Sequence, residues 1–290
     1  MVKSSNSCLL ICIFLCVPFF SYAQTDSLFR VAEHFVKSGN SARAILEYER
    51  IAYLSDQSEI EVTARLEKAR LQKQRYAFDK ALNTLLATPI ISVGDSLKAE
   101  FIYEIALCAF LQDDYQLAKG QFVRMRKQIA DSSLYQNYSW LEVLALVQTR
   151  EFDQAENLMY RSVENSNLPL QEKKAVKEEI EVLFEPDRLP NLKDPEKAVR
   201  LSSYFPGAGQ VYAGYFFDGL LNFGLQLASL SLAVYAGYYQ YYITGYVGGL
   251  AIFQSFYFGG RSRAEFLAEK HNKIEYQKFN QELNKTLNQL

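Results

Sequence analysis

Residues 78–81 read Phe-Asp-Lys-Ala, and the pattern returns as Tyr-Gln-Leu-Ala at 115–118 and Phe-Asp-Gln-Ala at 152–155. The alanines Ala44, Ala81, Ala118 and Ala155 stand 37 residues apart. Four residues after each comes a large apolar side chain, Tyr48, Leu85, Phe122 or Met159, and twelve before each comes Ala32, Ala69, Ala106 or Val143. A fixed period of this size implies stacked copies of one supersecondary unit. Two helices approach closely only where small side chains face each other. A large apolar side chain one turn away then fills the gap to the next unit.

This pattern resembles the tetratricopeptide repeat, which has a small residue on its first helix, an aromatic-x-x-Ala start to its second and a large apolar residue one turn later. The resemblance covers about Thr25 to Asn165. The period exceeds the usual length of about 34 residues, and the extra residues are placed in the turn between units. The spacing predicts helices near 25–38, 41–54, 58–74, 77–87, 95–111, 114–129, 132–149 and 152–165, with a ninth near 169–183 closing the stack. Breakers separate them at Ser38-Gly39-Asn40, Thr88-Pro89, Gly94-Asp95 and Asp131-Ser132-Ser133.

The first helices of such units line a concave groove, and matching the repeats position by position places Phe29, Glu33, Leu66, Arg70, Lys73, Tyr103, Phe110, Asn137 and Trp140 there. Phe29, Leu66, Tyr103 and Trp140 share one repeat position. With the basic pair Arg70 and Lys73, this file either holds a segment of a partner protein or peptide, or packs between repeats.

The first 23 residues read as a secretory signal: Lys3, an apolar run from Cys8 to Phe20, and Ser21-Tyr22-Ala23 as a small-x-small cleavage site. Cys8, Cys12 and Cys16 lie within it, so Cys108, on an apolar helix, remains as a buried thiol. The formal net charge of -2 supplies no footprint for nucleic acid.

Prolines at 186, 190 and 195 break the chain after the repeats. Beyond them no charged residue occurs from Gly219 to Gly260, 42 residues, enough for two membrane spans. They are placed at Phe217 to Tyr239 and Ile243 to Gly260, with Tyr235, Tyr238, Tyr239, Tyr241, Tyr242 and Tyr246 clustered at the turn, as rings do at a headgroup interface. Ser229, Ala233 and Gly237 form a small-residue stripe on one span, and Ala251, Ser255 and Gly259 on the other. Asp218, Asn222 and Gln226 share a face. They either mark a working site at membrane depth or, with Asp218 at the interface, bond across the helices.

Ahead of the first span stands Pro206-Gly207-Ala208-Gly209-Gln210-Val211-Tyr212-Ala213-Gly214, and Gly260, Ala264, Ala268 and Asn272 follow the second. These strings resemble the P-G-x-G-Q-x-Y-x-G and G-x-x-x-A-x-x-x-A-x-x-x-N motifs of a bacterial group in which a two-transmembrane-helix domain follows tetratricopeptide repeats. The resemblance implies an architecture and no chemistry. The tail carries Tyr276, Phe279, Leu283, Leu287 and Leu290 at helical steps, and packs on the repeats, lies on the membrane or pairs with a copy of itself.

The expected fold class is therefore all-α: a tetratricopeptide-like helical-hairpin solenoid, then a transmembrane hairpin and a C-terminal amphipathic helix. The expected divisions are 1–23 signal, 24–184 repeats with their cap, 185–200 linker, 201–262 membrane hairpin and 263–290 amphipathic helix. His34 and His271 stand far apart with no metal-ligand companions, and no phosphate loop, nucleophile elbow or Cys-x-x-Cys occurs. No enzyme activity, cofactor or metal is implied. The expectation is a protein-binding scaffold of the bacterial inner membrane, its repeats facing the periplasm. A membrane-biogenesis or transport accessory acting through its hairpin is the alternative. Membrane lipid is the other expected partner, with homo-oligomers forming through the hairpin or tail. The basic residues flanking the hairpin, including Lys193, Lys197, Arg261 and Arg263, argue for the opposite orientation.

Overall fold

A computed structural model describes residues 27–287. The expected signal sequence lies outside them. Among the described residues all regular structure is helical and no strand occurs. The chain divides into two compact units, one ending at Ser166 and the other beginning at Asn167.

The first unit holds α1 (27–37), α2 (Ser41–Leu54), α3 (Ser58–Gln74), α4 (Phe78–Leu86), α5 (Asp95–Phe110), α6 (Tyr115–Gln128), α7 (Ser132–Gln136), α8 (Ser139–Gln148) and α9 (Phe152–Asn165). Each helix from α2 to α6 packs against the next, and α6 packs on α8. The alanines that define the period, Ala44, Ala81, Ala118 and Ala155, are fully buried, as are Leu85, Phe122 and Met159, with Tyr48 nearly so. The helix expected at 132–149 is split in two. Tyr138, with φ -115° and ψ -4°, interrupts it, and its ring stacks on Tyr103 at 4.5 Å.

The period also appears in the backbone. Gly39, Tyr76, Asp113 and Arg150 stand 37 residues apart and all adopt positive φ, at 75°, 58°, 61° and 62°. Behind each, an N–H bonds to the carbonyl five residues earlier: Asn40 to Phe35, Ala77 to Gln72, Asp114 to Ala109 and Glu151 to Leu146, at 2.8 to 3.0 Å. This is the Schellman closure of a helix, which satisfies carbonyls that the helix leaves open. The turn between the two helices of each unit is thus made the same way four times. Asn40 and Asp114 then cap the following helices, accepting from the N–H groups of Arg43 and Leu117.

The second unit holds α10 (Leu170–Leu183), α11 (Pro195–Tyr204), α12 (Ala208–Tyr212), α13 (Phe216–Tyr238), α14 (Tyr242–Thr244), a π-helical segment (Gly245–Ala251) and α15 (Ile252–Leu287). This corrects the expected division at 184. Helix α10, read as the cap of the repeats, belongs with the second unit and packs on α15, Phe184 meeting Phe279 edge-on at 5.5 Å. The same contact covers the apolar face of the tail, where Phe279 and Leu283 are buried.

Among the described residues, one helix, Phe216–Tyr238, is long and apolar enough to cross a membrane. The stretch expected as a second span, 243–260, is shared by α14, the π-helical segment and the start of α15, which runs on into charged sequence. Wide π turns come easily here because Gly245, Gly248 and Gly249 carry no side chain to crowd them.

Candidate functional site

On the repeat unit, the expected groove residues meet different fates. Phe29 packs edge-on against Tyr48 at 6.0 Å, inside its own unit. Leu66 is buried in the core and offers no surface. Tyr103 is half-buried, stacked on Tyr138 and tilted against Trp140 at 6.3 Å. Only Trp140 of these four exposes a large apolar surface. Burial, with Glu104 and Tyr138 nearby, pushes the Tyr103 hydroxyl up to about 12.

The basic pair is occupied from within the chain. Arg70 bonds Glu67 at 2.5 Å, Glu104 at 3.4 Å, and Glu100. Lys73 bonds Glu104 at 2.6 Å. Burial opposes the charge on Arg70, but bonds and charges from Glu100 and Glu67 outweigh it and raise its pKa. Two cations face three carboxylates, so this network is a clasp between α3 and α5 and presents no free cationic surface. Glu67 stands one turn before Arg70 on α3 itself, whereas Glu100 and Glu104 lie about 30 residues away on another helix, where the sequence alone does not show the pairing.

A second network lines a cleft of about 610 Å³ formed by α6, α7, α8 and α9. The buried Glu142 accepts from Arg126 at 2.5 Å and from the Tyr135 hydroxyl, while Arg126 also reaches Tyr135 at 2.8 Å. Burial, then Glu142, raises the Tyr135 pKa. Gln154, Asn157, Arg161 and Ser162 complete a polar wall. No position in this cleft carried a sequence signal, since its residues come from four helices.

In the second unit the two quoted motifs assemble into one structure. Gly207, at φ 88°, begins α12, and a side chain there would drive into the Gly219 backbone, whose carbonyl carbon would lie 2.8 Å from the added Cβ. Gly209 lies as tightly against the Ala198 carbonyl of α11. Gln210 is fully buried; it donates to the Gly260 carbonyl at 2.8 Å and accepts from Ser202 Oγ at 3.0 Å. Tyr212 lies beneath Lys193 and Lys197, and its hydroxyl accepts from the Asp194 N–H at 3.1 Å. Ala264 and Ala268 pack with Ala198 and Ala213. Asn272 closes the set through paired bonds to the Lys193 N–H and carbonyl at 2.6 and 2.7 Å. The motif residues thus hold helices together.

Compared with protein families, curated proteins and solved structures, the chain finds no match. Function must therefore be argued from the geometry.

The polar face of α13 turns inward. Asp218 takes two bonds from Arg263, at 3.0 and 3.1 Å. Gln226, buried, donates to Asn222 at 3.1 Å and to the Phe256 carbonyl at 3.3 Å. Asn222 sits against Gly260, which has no side chain to displace it. On the other side of the contact, Ala233 meets Gly249. The expected stripe Ala251, Ser255 and Gly259 is not the contact: Ser255 and Gly259 are exposed, and Gly237 has open space around it. Gly245, Gly249 and Gly260 take its place because the π-helical segment changes the angular step along the chain.

Proposed function

We propose that the chain is a membrane-anchored interaction scaffold: a tetratricopeptide-like solenoid binds a polypeptide, and a hairpin of α13 with residues 242–260 fixes it in the bilayer. The observation that carries this reading is the outward face of α13. Phe217 is 82% exposed, Leu221 64% and Val234 68%, on a helix whose buried positions include Gly219, Gln226, Ser229 and Ala236. Large side chains outward and small or polar ones inward invert the pattern of a helix in water, and fit one surrounded by lipid. From Gly219 to Tyr238 the helix rises about 30 Å, the thickness of a hydrocarbon core.

On the repeat unit the surface best suited to a partner is Trp140 with the Tyr103–Tyr138 stack beside it, since aromatic anchors contribute disproportionately at interfaces. Arg70 and Lys73 are spent on intramolecular pairs. A transport or biogenesis role acting through Asn222 and Gln226 has less behind it, because both amides face α15 and not the lipid. The signal sequence read at 1–23 supports repeats in the periplasm of a bacterial cell, at the inner membrane.

Two measurements test the proposal. Alkaline carbonate is expected to leave the full chain in the membrane pellet, and its release would refute the anchor. Crosslinked pull-downs from membranes should lose their partner with Trp140→Ala and Tyr138→Ala, and keep it with Asn222→Leu. The reverse result would move the working site to the hairpin.

A further inference from the structure

The base of the apolar hairpin carries a set of arginines that the helix packing does not consume. Helix α11 runs antiparallel to α15: Lys193 is bonded to Asn272 at one end, and the Ser203 carbonyl accepts from the Tyr257 hydroxyl at 3.3 Å at the other. That register brings Arg200 level with Arg261, where the uncharged stretch ends. On the apolar side of this level stand Tyr204 and Phe205, 80% and 71% exposed. Exposed aromatic rings followed by arginines are the order found on crossing from hydrocarbon into headgroups.

The three arginines of this level are not equivalent. Arg263 is held by Asp218. Arg200 is well exposed and reaches Asp194 only at 3.8 Å. Arg261 has no ion pair among the described residues; its guanidinium lies over the Tyr257 ring at 5.8 Å, and its Nε is buried without a hydrogen-bond partner. A buried donor left unsatisfied calls for an acceptor. A guanidinium offers a fork that matches two oxygens of one phosphate, and it remains charged at any physiological pH.

We propose that Arg200 and Arg261 form a binding site for the headgroup phosphate of anionic phospholipids, at the junction of α11 and α15. The inference rests on the membrane reading above and adds to it a choice of lipid. Arg261 supplies the half-buried donor and Arg200 the exposed one, while the neighbouring aromatic side chains lie along the acyl chains. Zwitterionic lipids gain less, because their own cation competes for the phosphate.

The test uses the full chain in neutral detergent, loaded with equimolar phosphatidylglycerol and phosphatidylcholine, then stripped stepwise, with retained lipids counted by mass spectrometry. A basic side chain at a membrane surface favours anionic lipid by about fivefold. The wild type should therefore retain phosphatidylglycerol over phosphatidylcholine by roughly twentyfold, and R200Q/R261Q should lose most of that preference at unchanged helix content. If the double variant loses helix, R200Q alone, at an exposed position, should lose about fivefold. A wild-type ratio near one, or an unchanged ratio in the variants, overturns the proposal. Displacement of phosphatidylglycerol by millimolar inorganic phosphate would show a phosphate-ion site instead, and would also overturn it. A chain that stays monodisperse without detergent and retains neither lipid refutes the membrane reading itself; one that needs detergent and retains both lipids equally refutes only the choice of lipid.

Discussion

The four left-handed turns allow one perturbation to be worked out closely. Gly39, Tyr76, Asp113 and Arg150 do the same backbone work at φ 58° to 75°, yet only the first is a glycine. A left-handed residue with a Cβ is strained by about 1–2 kcal/mol. Replacing it with glycine removes that strain but costs about 0.5–1 kcal/mol in unfolded-chain entropy. Arg150→Gly should thus stabilise the repeat unit by about 0.5–1 kcal/mol, and Gly39→Ala should destabilise it by a similar amount. No atom lies within 4 Å of a side chain built at Gly39, so its loss would be purely conformational. Gly120→Ala, inside α6 with equally open surroundings, is the control and should add up to about 1 kcal/mol through helix propensity. Urea unfolding of the full chain in detergent, followed through the single tryptophan, Trp140, and by circular dichroism, reads all three. A loss of stability in Arg150→Gly together with no effect in Gly39→Ala would refute the shared turn.

Further outcomes follow from other contacts. Glu104→Ala leaves Lys73 without its carboxylate and Arg70 short of one; after allowance for solvent around both cations, it should cost about 1–2 kcal/mol in the same unfolding experiment. Gly209→Ala forces α12 off the Ala198 carbonyl and pulls on the Gln210 bonds; overpacking of this kind costs about 1–3 kcal/mol, visible as faster hydrogen exchange across 195–215. Burial raises the Cys108 thiol from its ordinary 9.0 to about 11, so the folded state holds its proton more tightly than the unfolded chain does. That contribution is complete below about pH 9 and is lost as pH rises toward about 11, so a titration of stability should fall in that window and Cys108→Ala should flatten it. Iodoacetamide at pH 8 should leave Cys108 unmodified until urea unfolds the chain.

Much of this fold is written in local chemistry. Helices α2, α3 and α9 begin and end where the spacing of apolar residues and breakers places them, because helix limits are set by neighbouring residues. What depends on contacts between helices was not legible. Tyr138 interrupts a periodic stretch for the sake of a ring on α5, and no breaker residue announces it. Tyr76, Asp113 and Arg150 carry no glycine to mark their turns. Arg70 and Lys73 read as free cations because Glu100 and Glu104 meet them only once α3 and α5 are packed. Likewise α10 reads as a polar cap from its charged face, while the partner of its apolar face lies about 100 residues downstream. In the candidate site, Trp140 was legible from its repeat position; the cleft at Glu142 and the level of Arg261 were not, since each depends on the register of several helices.

The two close approaches in the hairpin set a mechanical constraint. Asn222 meets Gly260 and Ala233 meets Gly249, so eleven residues separate the contacts on each strand of the hairpin. Eleven residues is very nearly three turns of α-helix, which returns both contacts to the same side of α13. A shift of one residue in one direction would drive Leu250 into Ala233 and Arg261 into Asn222 at once, whereas the opposite shift would bring Gly248 and Gly259 to the same two places. The two contacts therefore act as a one-way stop: α15 is blocked from sliding past α13 toward its bulky neighbours, and the paired glycines leave the reverse step open.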